Sequence, residues 1–242
     1  MHRCGIGAAL LGIAALAGCG GGSSPSAPSD PPLVNSPDEV IEDLAAAWNG
    51  RDADALAVLL ADGFVFHVSP ADAESAGVPE SWGRETDLVA AANLFRGEVG
   101  VGPDGTPQPA ADTRFSFGLT ITPEDEWAMR EEPPHEGTFA RTFRNVMTVQ
   151  YEDFNLDFIT GRQVFFVGEE PGTDGSGAPI RRYRLQAWQD LGQIERHQAF
   201  TWGFLKSMYR EVYAGGEASV YWLPARPPGT NPPDNPQEGT QP

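Results

Sequence analysis

Hydrophobic positions first fall into register at residue 36. Ile41, Leu44 and Trp48 recur at spacings of three and four behind Ser36-Pro37-Asp38-Glu39. That opening is an S-x-x-E capping box with proline at the first helical position, so a helix starts there and turns one apolar face inward. Asn49-Gly50 supplies a left-handed stop. Asp52 caps a second short helix with Leu56, Leu59 and Leu60 inward, and Asp62-Gly63 reads as a turn. The period then drops to two: Phe64, Phe66 and Val68 alternate with Val65 and His67, which predicts a strand.

Further along, Pro70 to Trp82 is polar and punctuated by proline, and reads as a loop. A helix opens at Ser81 or Gly83 and runs through Phe95, with Leu88, Ala91, Ala92 and Phe95 on its buried face. Gly97 to Asp112 is a loop of 16 residues. Alternation predicts strands over 114–122, 139–151, 156–167 and 182–191. The third is broken near Gly161, a bulge signal, and a Gly-rich hairpin loop over 169–179 precedes the fourth. Thr201 to Tyr213 is an amphipathic helix with Leu205, Met208 and Val212 inward, expected to dock against the sheet rim.

The helix–corner–helix–strand opening, with W-N-x-R-D-A-D-A-L from Trp48 and D-G-F-V-F from Asp62, resembles the start of the nuclear transport factor 2-like superfamily. That superfamily includes the SnoaL-like polyketide cyclases and ketosteroid isomerase. Trp188-Gln189-Asp190-Leu191 is similar to the W-x-D-L that closes the last strand of many members. Over residues 36–213 the resemblance implies an α+β fold: a curved antiparallel sheet wrapped around N-terminal helices, a cystatin-like cone enclosing a pocket. Its candidate pocket residues are Trp48, Phe66, His67, Trp82 and Arg184, with Trp82 either lining the pocket or plugging the core. The Tyr and acidic constellation of ketosteroid isomerase has no residue-by-residue match, so no catalytic residue carries over.

The N-terminus carries an address. His2 and Arg3 precede an apolar run from Gly5 to Ala17, too short to span a bilayer, and Leu16-Ala17-Gly18-Cys19 resembles a bacterial lipobox. The resemblance implies cleavage after residue 18, acylation of Cys19 and a place in the bacterial cell envelope, on the outer membrane if there is one. Residues 20–32 form a Gly/Ser/Pro linker with a reach of roughly 20 Å. The expected domains are then a signal peptide (1–18), the lipidated Cys19 with its linker (19–32), the folded domain (33–223) and a disordered Pro-rich tail (224–242). With Cys4 lost and Cys19 lipidated, the mature domain keeps no free thiol, which excludes disulfides and cysteine chemistry.

Charge narrows the partners. The chain carries −18, or −19 once Arg3 leaves with the signal (15 basic against 34 acidic residues). With no basic stripe, nucleic acid is excluded. His67, His135 and His197 stand 68 and 62 residues apart, with no metal-ligand spacing, so no metal and no cofactor is expected. His67, on the first strand, is the single candidate for acid–base catalysis, against a merely structural histidine. Arg182 and Arg184 share a strand face and either meet an anionic ligand or pair with acids across the sheet. Six Trp and 13 Phe suit a greasy pocket and a filled one equally. Three functions follow: a lipid-anchored accessory module binding a small apolar or amphipathic ligand, a SnoaL-like acid–base enzyme, or a structural envelope protein with a plugged cone.

Overall fold

The computed structural model describes residues 30–102, 105–108, 116–150, 155–193 and 201–214. The chain divides after Pro31 into two compact units, and the architecture below is that of the second. Cys19, the linker up to Ser29, His197 and the Pro-rich tail lie outside the described residues.

The capping box forms as the sequence requires. Ser36 Oγ accepts from the Glu39 N–H, and Glu39 Oε2 accepts from the Ser36 N–H at 2.6 Å, opening α1 (Pro37–Gly50). The stop falls one residue later than expected. Gly50 stays helical and Arg51 takes the left-handed backbone at φ 52°, its N–H reaching the carbonyls of Ala47 and Trp48. Asp52 caps α2 (Ala53–Leu59), which passes straight into β1 (Leu60–His67). Asp62 and Gly63 are therefore strand residues and not a turn. The pairing of β1 shifts register between Leu60 and Val65, and this bulge absorbs them.

The expected loop after β1 contains a helix, α3 (Pro70–Ala76), capped by Ser69 with Pro70 in the first turn. Ser81–Gly83 forms β2 against β1, so the next helix, α4 (Arg84–Arg96), begins beyond it. Its buried face is Ala90, Ala91, Leu94 and Phe95 together with Asp87 and Asn93, while Leu88 and Ala92 are only half-buried. The long loop that follows holds a small hairpin of β3 (Gly100–Val101) and β4 (Pro107–Gln108). The remaining elements are β5 (Ser116–Pro123), β6 (Ala128–Met129), β7 (Phe139–Gln150), β8 (Asn155–Thr173), β9 (Pro179–Gln193) and α5 (Trp202–Met208).

The main sheet runs β2-β1-β9-β8-β7-β5, with β6 also on β7. All its pairs are antiparallel except β1 with β9, which makes the sheet mixed. Register shifts beside Met147, between Gly161 and Gln163, and between Phe166 and Val167 bend it. The break expected near Gly161 is one of them: a Cβ on Gly161 would stand 2.8 Å from Gln163 Nε2. Most of the expected 169–179 loop is ladder, since Thr173 still pairs with Pro179, and only residues 174–178 turn.

Two asparagines seal backbone that would otherwise be open. The Asn49 amide donates to the Leu119 carbonyl on β5 at 3.2 Å. Asn35 exchanges two hydrogen bonds with the backbone of Tyr183, next to a parallel stitch in which Val34 N–H donates to Arg181 O and Arg181 N–H donates to Pro32 O. One face of the sheet then packs against α1, α2, α4 and α5 in a single core. α5 lies inside that core and not at the rim: Trp202, Leu205, Lys206 and Met208 are all buried, whereas Val212 is exposed.

Candidate functional site

Inside the cone the described residues are packed side chain to side chain. Trp48 of α1, Trp188 of β9 and Trp202 of α5 meet with ring centroids 4.8–6.4 Å apart, and Trp48 also stands edge-on to Phe95. Trp82 stacks on Phe66 at 4.7 Å. Of the residues expected to line a pocket, Trp48, Phe66 and Trp82 are thus brought together, but as the filling of the cone. Trp82 takes the core-plugging role.

One residue on α5 brings charge into this apolar filling. Lys206 follows Trp202 by four positions and so shares its face. Its Nζ donates to Asp87 Oδ1 and Oδ2 at 2.9 and 3.1 Å, and the Trp82 indole N–H donates to Asp87 Oδ1 at 3.0 Å. The ammonium also lies 3.7 Å from the centre of the Trp188 ring and 4.2 Å from that of Phe66. Both charged side chains are 1 % exposed. Burial pulls the Lys206 pKa down, and Asp87, with Asp190 behind it, pushes back.

Asp190 is equally enclosed. Its Oδ1 accepts from Gly192 N–H and Gln163 Nε2, and its Oδ2 accepts from Gly203 N–H at 2.8 Å. Burial raises its pKa against those three bonds. Such a constellation of one ammonium and two carboxylates is chemically capable of proton transfer, yet every one of these groups is bonded within the fold and closed off from solvent. Asn145, fully buried on β7, carries an amide with no hydrogen-bond partner.

The opposite face of the sheet carries the open site. Alternation along β1 sends Phe64, Phe66 and Val68 into the core and His67 outward, beside its register partner Gln189 on β9. A small apolar patch of Ala140, Phe166 and Ala187 covers the same face. The connection from β6 to β7 folds back over it, closed by Arg130 N–H to Thr138 O and Gly137 N–H to Arg130 O. This places the His135 ring on Phe166, 3.9 Å between centroids, and 5.8 Å from the ring of His67. The Arg130 guanidinium reaches within 5.8 Å of the Phe166 ring centre.

Between this connection and α3 lies a groove of about 710 Å³ lined by His67, Gln189, Pro70, Glu74, Pro134 and His135, among others. Among the described residues no hydrogen bond reaches either imidazole and no acid pairs with Arg130. Burial lowers the pKa of His67 and of His135, and His135 is depressed further by the neighbouring His67 and Arg130. Among the described residues no group of three or more His, Cys, Asp and Glu could hold a metal ion. No described helix is long and apolar enough to cross a membrane.

Arg184 belongs to neither cavity. Tyr183 and Leu185 pack toward the core, so Arg184 points the other way and pairs with Glu170 on β8 at 3.7 Å. Of the acids near Trp127, Glu124 pairs with Arg162, Asp125 accepts from the Thr142 N–H, and Asp38 accepts from Trp127 Nε1.

Sequence reasoning missed Asp87, Asp190, Lys206 and His135 as site residues. Asp190 was within reach, because alternation from Trp188 places it on the buried face of the same strand. Lys206 was legible only as a lone charge in an apolar helix, and His135, in Pro133-Pro134-His135-Glu136, gave no periodic signal at all.

Helices packed on one face of a bent sheet, in this order, make an α+β architecture of the kind that the nuclear transport factor 2-like resemblance implies. No family model matches the chain and no curated protein does. Solved structures do match. An NTF2-like protein from Cytophaga hutchinsonii is 17% identical over 65% of this chain and 98% of its own, with a TM-score of 0.35. An NTF2-like protein of unknown function in nutrient uptake from Rhodospirillum rubrum is 16% identical over 64% and 97%, with a TM-score of 0.36. The β subunit of a proposed aromatic-ring-hydroxylating dioxygenase from Novosphingobium aromaticivorans is 11% identical over 66% and 88%, with a TM-score of 0.42.

Proposed function

We propose that this protein is a lipid-anchored envelope module that binds a small ligand on the outer face of its sheet and performs no chemistry inside the cone. The observation that carries the reading is the contrast between the two faces. The inner one is filled by four tryptophans and a bonded Asp87–Lys206 pair, whereas the outer one keeps an open groove with two unbonded imidazoles. Ligand sites combine apolar walls with a few unsatisfied polar groups, and the groove has both: Pro70, Ala73 and Pro134 beside the imidazoles of His67 and His135. Anchoring rests on Leu16-Ala17-Gly18-Cys19, and the linker after it would hold the domain just off the membrane.

The test is a ligand screen on the whole chain read by proton NMR. Ligands of the groove move the ring signals of His67 and His135 and leave the indole N–H signals in place. Ligands that move the indoles of Trp48, Trp188 and Trp202 instead would overturn the reading in favour of the cone. An enzyme remains the second reading because Asp87, Lys206 and Asp190 converge. A turnover that Lys206→Met abolishes, with the fold retained, would establish it.

A further inference from the structure

We propose that the groove binds a small organic ammonium ion, with its charge held at the rim by Glu74 and Glu80 and its apolar body lodged behind them. The inference rests on the reading above that the groove is the binding site, and adds the chemistry of the ligand. The lining is graded in depth. Val68 and Val78 are buried, His67, His135 and Gln189 are half-buried, and Glu74 and Glu80 are exposed. The carboxylates therefore stand at the opening and the apolar residues at the base. Both acids sit on backbone that is held in place. Glu74 lies on α3, whose start is set by the Ser69 cap, and the Glu80 carbonyl accepts from the Val68 N–H at 2.9 Å.

Charge decides the occupant. Among the described residues that line the groove, Glu74 and Glu80 alone carry a permanent charge. No hydrogen bond or ion pair among the described residues engages either carboxylate. On α3, Asp72 is taken up by the Ser69 hydroxyl. The connection from β6 to β7 adds Glu131, Glu132 and Glu136, all exposed, against Arg130, whose guanidinium lies over Phe166 and outside the lining. The imidazoles do not offset these acids. Burial holds both below the ordinary value, and His67 and Arg130 depress His135 further, so at neutral pH each ring is uncharged and offers an acceptor nitrogen. The Gln189 side chain offers a carbonyl on the same wall. An ammonium group carries donors only, and a charge opposite to that of the rim. The volume of about 710 Å³ is that of a small-molecule site, with Val68, Ala73 and Val78 to receive the apolar body.

Benzylamine, its neutral counterpart benzyl alcohol and the anion benzoate separate the possibilities on the whole chain, with calorimetry for affinity and proton NMR for place. Benzylamine should move the His67 and His135 ring signals and bind about tenfold more tightly than benzyl alcohol, with benzoate weaker still. Raising sodium chloride to about 0.5 M should weaken benzylamine at least about threefold and leave benzyl alcohol unchanged. Glu74→Gln and Glu80→Gln, both on exposed side chains, should each cost about threefold in benzylamine affinity, and together about tenfold, with the melting temperature kept. Benzyl alcohol or benzoate binding as tightly as benzylamine would overturn the ammonium and leave the groove standing as a ligand site. Benzylamine affinity untouched in the double variant would put the cation elsewhere on an acidic chain, and would overturn the proposal as well. If none of the three binds or moves a histidine signal, the ammonium proposal fails. The broader ligand screen then judges the groove on its own.

Discussion

At the scale of single residues the interior charge is the sharpest test of the packing. A buried ion pair contributes little over an apolar pair of the same volume, but breaking it strands a charge. Lys206→Met and Asp87→Leu should each destabilise the protein by roughly 3–5 kcal/mol. Lys206→Met combined with Asp87→Leu should cost far less than the sum. Denaturant melts of the four proteins in a double-mutant cycle measure this, and strict additivity would mean that the pair is not coupled. The histidines test the outer face. Their folded pKa values lie below the ordinary 6.5, so the folded state holds fewer protons than the unfolded one as pH falls. The stability they allow is complete above about pH 6.5 and is lost on acidification through the depressed folded values. His67→Gln with His135→Gln should flatten that slope, which chemical melts across this window would record; an unchanged slope would place its origin elsewhere.

At the scale of elements α5 decides whether the cone is open or filled, and Gly203 decides how deeply α5 seats. A Cβ there would stand 2.7 Å from Val68 Cγ1 and 3.4 Å from the Asp190 carboxylate. Gly203→Ala should therefore cost about 1–3 kcal/mol by overpacking, and adding Val68→Ala should recover part of it; thermal melts of the single and double variants decide. The same element shows where sequence reading ended. α1 and α2 were legible because their start signals are local: a capping box at Ser36 and a cap at Asp52. The alternation of β7 gave its extent to within one residue. Asp62-Gly63 misled, since turn chemistry inside a bulged strand reads the same as a turn. α5 misled further. Its periodicity identified a helix with one apolar face, but both faces are buried, and the partner of Lys206 lies 119 residues away on α4. Of the outer site, His67 could be placed by alternation, while His135 depended on a connection folding back across the sheet.

At the scale of the whole molecule the fold sets a packed interior on one face of the sheet against an open groove on the other. If Cys19 carries lipid, Cys19→Ala should move the protein from the membrane fraction to the soluble one. Continued detergent-dependent fractionation of that variant with membranes would count against the anchor. The way the chain enters the fold also matters. Pro32 and Val34 are bonded to Arg181, and Asn35 to Tyr183, so residues 32–35 run alongside β9. A pull from the N-terminal side would therefore load those four hydrogen bonds together along the strand, in shear, before it reached the helices or the groove. The stitch to β9 is in that sense a strain relief, which would take up a tug from that side while the groove behind it keeps its shape.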